Sequence, residues 1–524
     1  MQLLEDELLE ISCSKVNCSN MTLLELQSVP ISQSTYSLEN TPPAEPLSMS
    51  ISPHADYPGL EYPPVFEPET YSLADPQSSL TLLRKQGELF KRYRERSLLY
   101  FPIFKERVLG FKIVHLIHPE DIKVIVLTGK CAHKETRFFV NWLGRSVLND
   151  KGGHRWHYKR KLITPFFNVK VLQDYVTTLR EKAKDLVLAV EECEGTVVEV
   201  VPYVSNYVSN CVIALTMGKD ALFDVQLFNE STNEVKNCVT KRLCTPWMYN
   251  DFLYNLSHYG KTEATLVDTI HKITNSVIKC KMKDWKNGVK EGNLNILEFL
   301  LKAKHNGADL DESGIREELV SILMAGHDTT ASNLSFVLML LANHKEVQDR
   351  VFEELCSVLG DVEKEPTYED LQDLKYMHQC IKESLRLYPS VPNLARRSSK
   401  IMTTHTGYVI PEDTLLSLGI FDMHHNPNVY PDPEKFDPDR FAPENAKKIH
   451  PFAFLPFSGG SRNCIGQKFA ILQMKMSLCA LLKKFVLKPV DTPSSVRLIS
   501  SITLNVENGI RVRFLPRIHK ELIQ

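Results

Sequence analysis

Residues Phe457–Gly466 read FSGGSRNCIG, in which three glycines, a phenylalanine and an arginine surround a single cysteine, Cys464. A buried, inert thiol is the commonest fate of a cysteine, but two features of this stretch oppose it. Gly459, Gly460 and Gly466 permit close backbone approach to something flat. The loop also runs straight into GQKFAILQMKMSLCALLKKF, whose apolar spacing predicts a helix. A helix N-terminus presents free N–H groups, which favour a sulfur held as thiolate. Arg462 supplies a cation for a neighbouring anionic group. A thiolate, close glycine backbone and an arginine together suit an iron porphyrin: sulfur to the metal, N–H groups to the sulfur, guanidinium to a propionate.

The rest of the chain has the bulk to enclose such a group. It has 524 residues, 43% of them hydrophobic, enough for a large core. Its 12 cysteines are scattered, with no CxxC pair and none of the spacing a zinc site requires, so a reducing compartment is the simplest reading. The net charge of −2 hides an asymmetry: residues 1–83 hold twelve acidic side chains against Lys15, while residues 84–524 hold 61 basic and 52 acidic ones. Ten of the 29 prolines also fall between Pro30 and Pro76. Acidic, Pro- and Ser-rich sequence without periodicity predicts a disordered segment over residues 1–80, ahead of one large domain over 81–524. The longest unbroken apolar run is FVLMLLA, Phe336–Ala342, well short of the roughly 20 residues of a membrane span, and no signal peptide is visible.

Helical periodicity begins near Thr81, and LLRKQGELFKRYRERSLLYF opens the body. LGFKIVHLIHPEDIKVIVL reads as one or two strands running into a helix announced by Pro119-Glu120-Asp121. IREELVSILMAGHDTTASNLSFVLMLLANH, Ile315–His344, is apolar on every face in its middle and must run through the interior. After Leu387, strand-like pieces and a proline-punctuated meander, NPNVYPDPEKFDPDRF, lead to the cysteine loop. The expected architecture is mostly α with a minor β portion.

Phe457, Gly460, Arg462, Cys464 and Gly466 together resemble the cysteine-loop signature F-x-x-G-x-R-x-C-x-G of the cytochrome P450 superfamily of haem-thiolate monooxygenases. The resemblance covers residue 85 onward. It implies haem b held between a long central helix and the cysteine loop, with Cys464 on the metal. Other motifs follow in the family's order. In AGHDTT, a mid-helix threonine can bond back to the carbonyl four residues earlier, here Ala325. The resemblance gives Ala325 and Gly326 the task of leaving room for dioxygen, and Asp328 and Thr329 the handling of protons. Glu383 and Arg386, three apart on one helix face, resemble the ExxR pair, with Arg440 as third member in a structural, buried role. Trp156 and Arg160 share a helix face from which an indole N–H and a guanidinium can both reach a carboxylate. The resemblance implies haem propionate contacts for both, and another from Arg396, chosen over Arg397. Arg155, Lys159 and Lys161 would then face outward as a docking patch for an acidic redox partner.

WLGRSVLNDKGGHRWHYKRKLITPFF and MHHNPNVYPDPEKFDPDRF resemble the family-4 branch, which includes fatty-acid ω-hydroxylases. Many of its members carry a glutamate able to esterify the haem where this chain has Ala325, so no covalent link by that route is expected. An acidic polar segment stands where eukaryotic members begin with a membrane anchor. Residence at the endoplasmic reticulum, as a microsomal protein, is therefore implied by kinship, with Leu98–Phe104 as a peripheral contact with a membrane surface. No GxGxxG fingerprint or complete P-loop is present, so electrons must come from a separate NADPH–cytochrome reductase, with cytochrome b5 as a further donor. The expected substrate is a small lipophilic molecule, a fatty acid or related lipid or a xenobiotic, oxidised with O2; no nucleic acid is expected as partner. A haem-thiolate isomerase or dehydratase would share the loop but has no use for the Asp328-Thr329 pair. A non-catalytic helical binding protein gives no reason for the five loop residues to occur together. His424 and His425 are read as structural.

Overall fold

The computed structural model describes residues 65–66 and 86–517, apart from 109–110, 129–131, 194, 287–293 and 362. The expected disordered segment 1–80 lies outside these except for Val65–Phe66, a short strand pairing in parallel with Lys105 and Glu106.

Helices make up most of the fold, and one of them organises it. Glu312–Asn343, the central helix, starts where Asp311 accepts from Gly314 N, so the cap sits one turn ahead of the apolar run. Every residue from Glu318 to Ala342 is buried except Ala325, Gly326 and Thr329. Helix Val200–Met217 packs along it and the cysteine-loop helix Gln467–Lys484 touches it, while Val169–Glu191 packs on those two, all in one large hydrophobic core. Among the described residues, Val200–Met217 alone has the length and apolarity of a membrane span, and most of it is buried inside the protein.

A six-stranded sheet stands beside this helical body, in the order Val65–Phe66, Ile103–Val108, Phe111–Leu116, Leu415–Gly419, Asn393–Ser398, Ala132–Lys134. As the sequence predicts, Phe111–Leu116 is a strand and Pro119–Thr128 a helix with Glu120 and Asp121 in its first turn. The sheet has its own core, which includes Ile103 and Phe104. That burial corrects the expected contact over Leu98–Phe104: only Leu98 and Leu99 of its apolar residues are strongly exposed, because the chain turns inward at strand Ile103–Val108. Two elements of this scaffold aim functional groups. Asn393–Ser398 brings Arg396 opposite Lys134 in an antiparallel pair, and the ExxR helix, Lys375–Leu387, underlies the meander that leads to the cysteine loop.

Candidate haem-thiolate site

The cysteine loop is closed by its own backbone, with Cys464 N donating to Phe457 O at 2.9 Å. Gly460 explains itself sterically: its φ is +63°, and a Cβ there would stand 2.3 Å from Val126 O. The close neighbour of Gly459 and Gly460 is thus the end of helix Pro119–Thr128, not a flat ligand, which corrects the sequence argument for these two positions. At Gly466 a Cβ would first meet Phe167 Cε1 at an ordinary 3.7 Å.

Cys464 remains accessible although protein surrounds it on most sides. That surrounding pushes the thiol pKa up, against Gly466 N–H, Arg160 and Lys134, which pull it down. The expected thiolate is therefore not secured by the helix N-terminus; in the protein alone, desolvation outweighs it.

Arg160 and Lys134 lie close to this thiol, and Arg396 and Arg462 gather around Lys134. Arg396 is buried, and its guanidinium donates to the neighbouring Ala395 O at 2.9 Å; desolvation lowers its pKa to about 10. Arg397 points the opposite way, as alternate strand residues must, onto Glu135 and Asp413. Arg462 lies 3.8 Å from the Trp156 ring centroid and donates through Nη2 to Asp150 O at 2.9 Å. Its Nη1 is buried with no hydrogen-bond partner. Lys134, which sequence reasoning missed, donates to Leu148 O. Burial, then the charges of Arg396 and Arg462, drive its pKa down to about 7. Three inward cations in mutual repulsion, one with an orphaned buried N–H, fit a bound group that carries carboxylates. Nothing in the sequence sets Lys134 across from Arg396; the pairing of their two strands does.

The expectation that Trp156 and Arg160 reach a carboxylate together is corrected. Helix His154–Ile163 puts both near the loop, yet Trp156 Nε1 donates to Val147 O at 3.0 Å. Arg160 grips Asn463, its O at 3.0 Å and its Oδ1 at 2.8 Å. Lys159 is also not an outward charge: it is buried, 3.1 Å from Glu318 Oε1. Arg155 and Lys161 are exposed, as expected.

On the central helix, Ala325, Gly326 and Thr329 form one face, the i, i+1 and i+4 positions. Within an otherwise buried helix, that exposure marks an internal opening. Thr329 Oγ1 donates back to Ala325 O at 2.7 Å. Asp328 is buried and bonded to neither neighbour; it pairs with Lys236 and accepts from Thr503 Oγ1. Burial alone would raise its pKa, but Lys236, His327 and Thr503 outweigh it and hold the carboxyl below its ordinary value.

Glu383 and Arg386 are fully buried and paired through both arms at 2.8 Å. Arg386 also donates to His424 O, Pro433 O and Lys435 O. Arg440 Nε lies 3.3 Å from Glu383 Oε1, without hydrogen-bond alignment. His424 is structural, linking Arg386 O to Leu455 N just ahead of the cysteine loop.

An accessible thiol in a glycine-pinned loop, with Arg160 and Lys134 close by and an opened central helix in the same body, fits a haem-thiolate site. The cytochrome P450 family profile matches residues 78–510. Cytochrome P450 4c3 of Drosophila melanogaster is 33% identical, the alignment covering 77% of this chain and 80% of that one. Cytochrome P450 4A11 of Homo sapiens is 35% identical, over 77% and 80%. A taurochenodeoxycholic 6 alpha-hydroxylase of Sus scrofa is 36% identical, over 77% and 82%. The crystal structure of a cytochrome P450DA heme domain superposes with a TM-score of 0.74 at 21% identity, over 87% of this chain and 98% of that one.

The chain belongs to the cytochrome P450 family and resembles its family-4 branch. It is accordingly a haem-dependent monooxygenase that draws electrons from a redox partner and oxidises a lipophilic substrate with O2.

Proposed function

We propose that this enzyme hydroxylates a fatty acid or a related lipid at a membrane surface, using haem b held by Cys464 and nearby cations. The observation that carries the reading is Cys464: an accessible thiol inside a shell of protein, with Lys134 and Arg160 beside it and Arg396 and Arg462 gathered around Lys134. Lys134, Arg396 and Arg462 would hold the haem carboxylates, and Arg462 Nη1 has an N–H still to give. Phe457 and Gly460 fix the loop, while the Gly466 N–H supports the sulfur. Trp156 supports Arg462 by stacking beneath its guanidinium instead of bonding a propionate itself. Bound haem supplies the iron that binds and activates dioxygen.

The chain's own part is space and protons. Ala325 leaves room at the open face, while Gly326, where a Cβ would stand 3.1 Å from Val212, lets helix Val200–Met217 pack close and corrects the expectation that it too makes room for dioxygen. The Thr329 hydroxyl holds a proton there, and Asp328, next in the chain, is the acid that replenishes it. Glu383, Arg386 and Arg440 serve structure alone. With Ala325 in place of an esterifying glutamate, the haem is bound without a covalent link and is released by acidic organic extraction.

Electrons come from a separate NADPH–cytochrome reductase, with cytochrome b5 as a second donor. Exposed Arg155 and Lys161 are part of the docking surface. A membrane contact at the endoplasmic reticulum is supported by Trp247, Phe252, Leu253 and Leu256, an exposed apolar group within 246–256. The pig relative's name, a hydroxylase of a taurine-conjugated steroid acid, favours a lipophilic acid as substrate.

The test is the reduced, carbon monoxide-bound absorption spectrum of the protein beside Cys464→Ala. A strongly red-shifted Soret band that disappears in the variant supports the iron–sulfur bond. Folded wild-type protein that binds haem without that band would overturn it.

A further inference from the structure

The open face of the central helix continues into a row of contacts. Asn333 and Phe336 follow Thr329 at i+4 and i+7, so the three lie along one side of the helix. Asn333 Nδ2 donates to Ser384 Oγ and to Tyr388 O, both at 3.3 Å. The Phe336 ring stacks on that of Tyr388, with centroids 4.2 Å apart and 5° between the planes. Ser390 is buried and closes the row: its Oγ donates to Thr329 O at 2.7 Å. Its own carbonyl accepts from Leu504 N at 2.9 Å, in the hairpin of Leu498–Ser500 and Leu504–Val506, and Leu504 O accepts in turn from Ser332 Oγ at 2.6 Å. Pro389 and Pro392 lock φ on both sides of Ser390-Val391, so the turn that presents this hydroxyl is stiff.

Both polar ends of Thr329 are thereby held: the hydroxyl from within the helix, at Ala325 O, and the carbonyl from outside it, by Ser390. The Thr329 hydroxyl has one hydrogen and must release Ala325 O before it can donate to anything at the open face. Once it does, the carbonyl remains anchored. We infer that Ser390 is a positioning residue for oxygen activation: its hydroxyl fixes the Thr329 carbonyl from outside the central helix, so that the side chain stays aimed at the open face when its own hydroxyl leaves Ala325 O. The role rests on the proton-handling reading of Thr329 and deepens it.

A serine that only filled the turn would act differently. If Ser390 did no more than satisfy its hydroxyl in the core, its loss would weaken the turn and leave Thr329 untouched. Here the hydroxyl gives its hydrogen to the residue whose side chain faces the opening. The turn is also continuous with helix Lys375–Leu387, whose Glu383 and Arg386 brace the meander ahead of the cysteine loop. One stiff piece thus supports the loop that bears Cys464 and the carbonyl behind the Thr329 hydroxyl.

The experiment compares wild-type holoenzyme with Ser390→Ala, Thr329→Ala and the double variant. Ser390→Ala leaves the main-chain bond to Leu504 N in place, so the turn keeps its fold. Hydrogen–deuterium exchange over a peptide spanning Thr329–Asn333 reports the hold on the helix and does not depend on turnover. Peroxide and product formed per NADPH report coupling on the same proteins. In Ser390→Ala, exchange over that peptide should quicken about two- to tenfold, the factor carried by one net neutral hydrogen bond, and the ratio of peroxide to product should rise at least about twofold. The double variant should be no worse coupled than Thr329→Ala alone, because Ser390 acts through Thr329. Exchange or coupling unchanged in Ser390→Ala would overturn the role of Ser390. So would an equal further loss of coupling on the wild-type and Thr329→Ala backgrounds, the mark of a purely structural serine. Unchanged coupling in Thr329→Ala would instead sink the proton-handling reading beneath it.

Discussion

Arg386→Lys keeps the charge of the ExxR pair and removes its geometry. Arg386 uses all five guanidinium N–H groups: two on Glu383 at 2.8 Å, and three on the carbonyls of His424, Pro433 and Lys435 at 2.9, 2.7 and 3.1 Å. A lysine ammonium has three N–H groups and no planar fork, so at least two buried acceptors lose their partners. At ~1–3 kcal/mol each, the loss is about 2–6 kcal/mol, a large share of the roughly 5–15 kcal/mol that holds a native protein together. Arg440→Lys is the internal control. Arg440 makes one aligned bond, to Asp432 O at 2.7 Å, and its Nε lies near Glu383 without alignment. Its loss should stay below about 1.5 kcal/mol. Urea unfolding followed by intrinsic fluorescence measures both. An Arg386→Lys protein within about 1 kcal/mol of wild type, or no more affected than Arg440→Lys, would refute the count of donors as the source of its stability.

Further predictions concern the loop, its histidine relay and the open face. The N–H of Leu455 can only donate, so His424 Nε2 must be unprotonated and Nδ1 must carry the hydrogen given to Arg386 O; burial, with Arg386 and His425, holds its pKa well below the ordinary value. Below about pH 6.5 the unfolded chain takes a proton there that the native protein refuses, so the advantage of wild type over His424→Gln should shrink by up to about 1.4 kcal/mol per pH unit on acidification. A stability gap that does not change with pH contradicts a neutral His424. Gly460→Ala must adopt a positive φ and drive a Cβ into the Val126 carbonyl, costing at least about 2 kcal/mol; Gly466→Ala, with only Phe167 at contact distance, should cost under about 1 kcal/mol in protein without haem. Equal losses in denaturant titrations of the two would remove the steric account. Thr329→Ala, which deletes the hydroxyl bonded to Ala325 O, should retain haem yet yield less product and more peroxide per NADPH, checked by quantifying all three.

The family and the expected haem ligand were legible in the amino-acid sequence, because those signals are local. Phe457, Gly460, Arg462, Cys464 and Gly466 lie within ten residues, and a loop that must pin a sulfur at a helix start constrains its own composition. The buried central helix was equally legible, since being apolar on all faces leaves it nowhere else to go. So was the return bond of Thr329, which depends only on helical geometry. Pairings between distant segments were not legible there and emerge only from the folded chain. Lys134 faces Arg396 because two strands happen to be neighbours in one sheet. Lys159 was read as an outward charge because its own helix is polar, but Glu318 of the central helix waits opposite and draws it inside. Trp156 shares a face with Arg160 as the spacing said, yet Val147 O lies within reach and takes its N–H. Asp328, placed correctly in its motif, belongs in space to Lys236 and Thr503, 92 residues before and 175 after it. Periodicity reports which side of an element is apolar; it carries no information about which partner packs there, and a buried charge is defined by its partner.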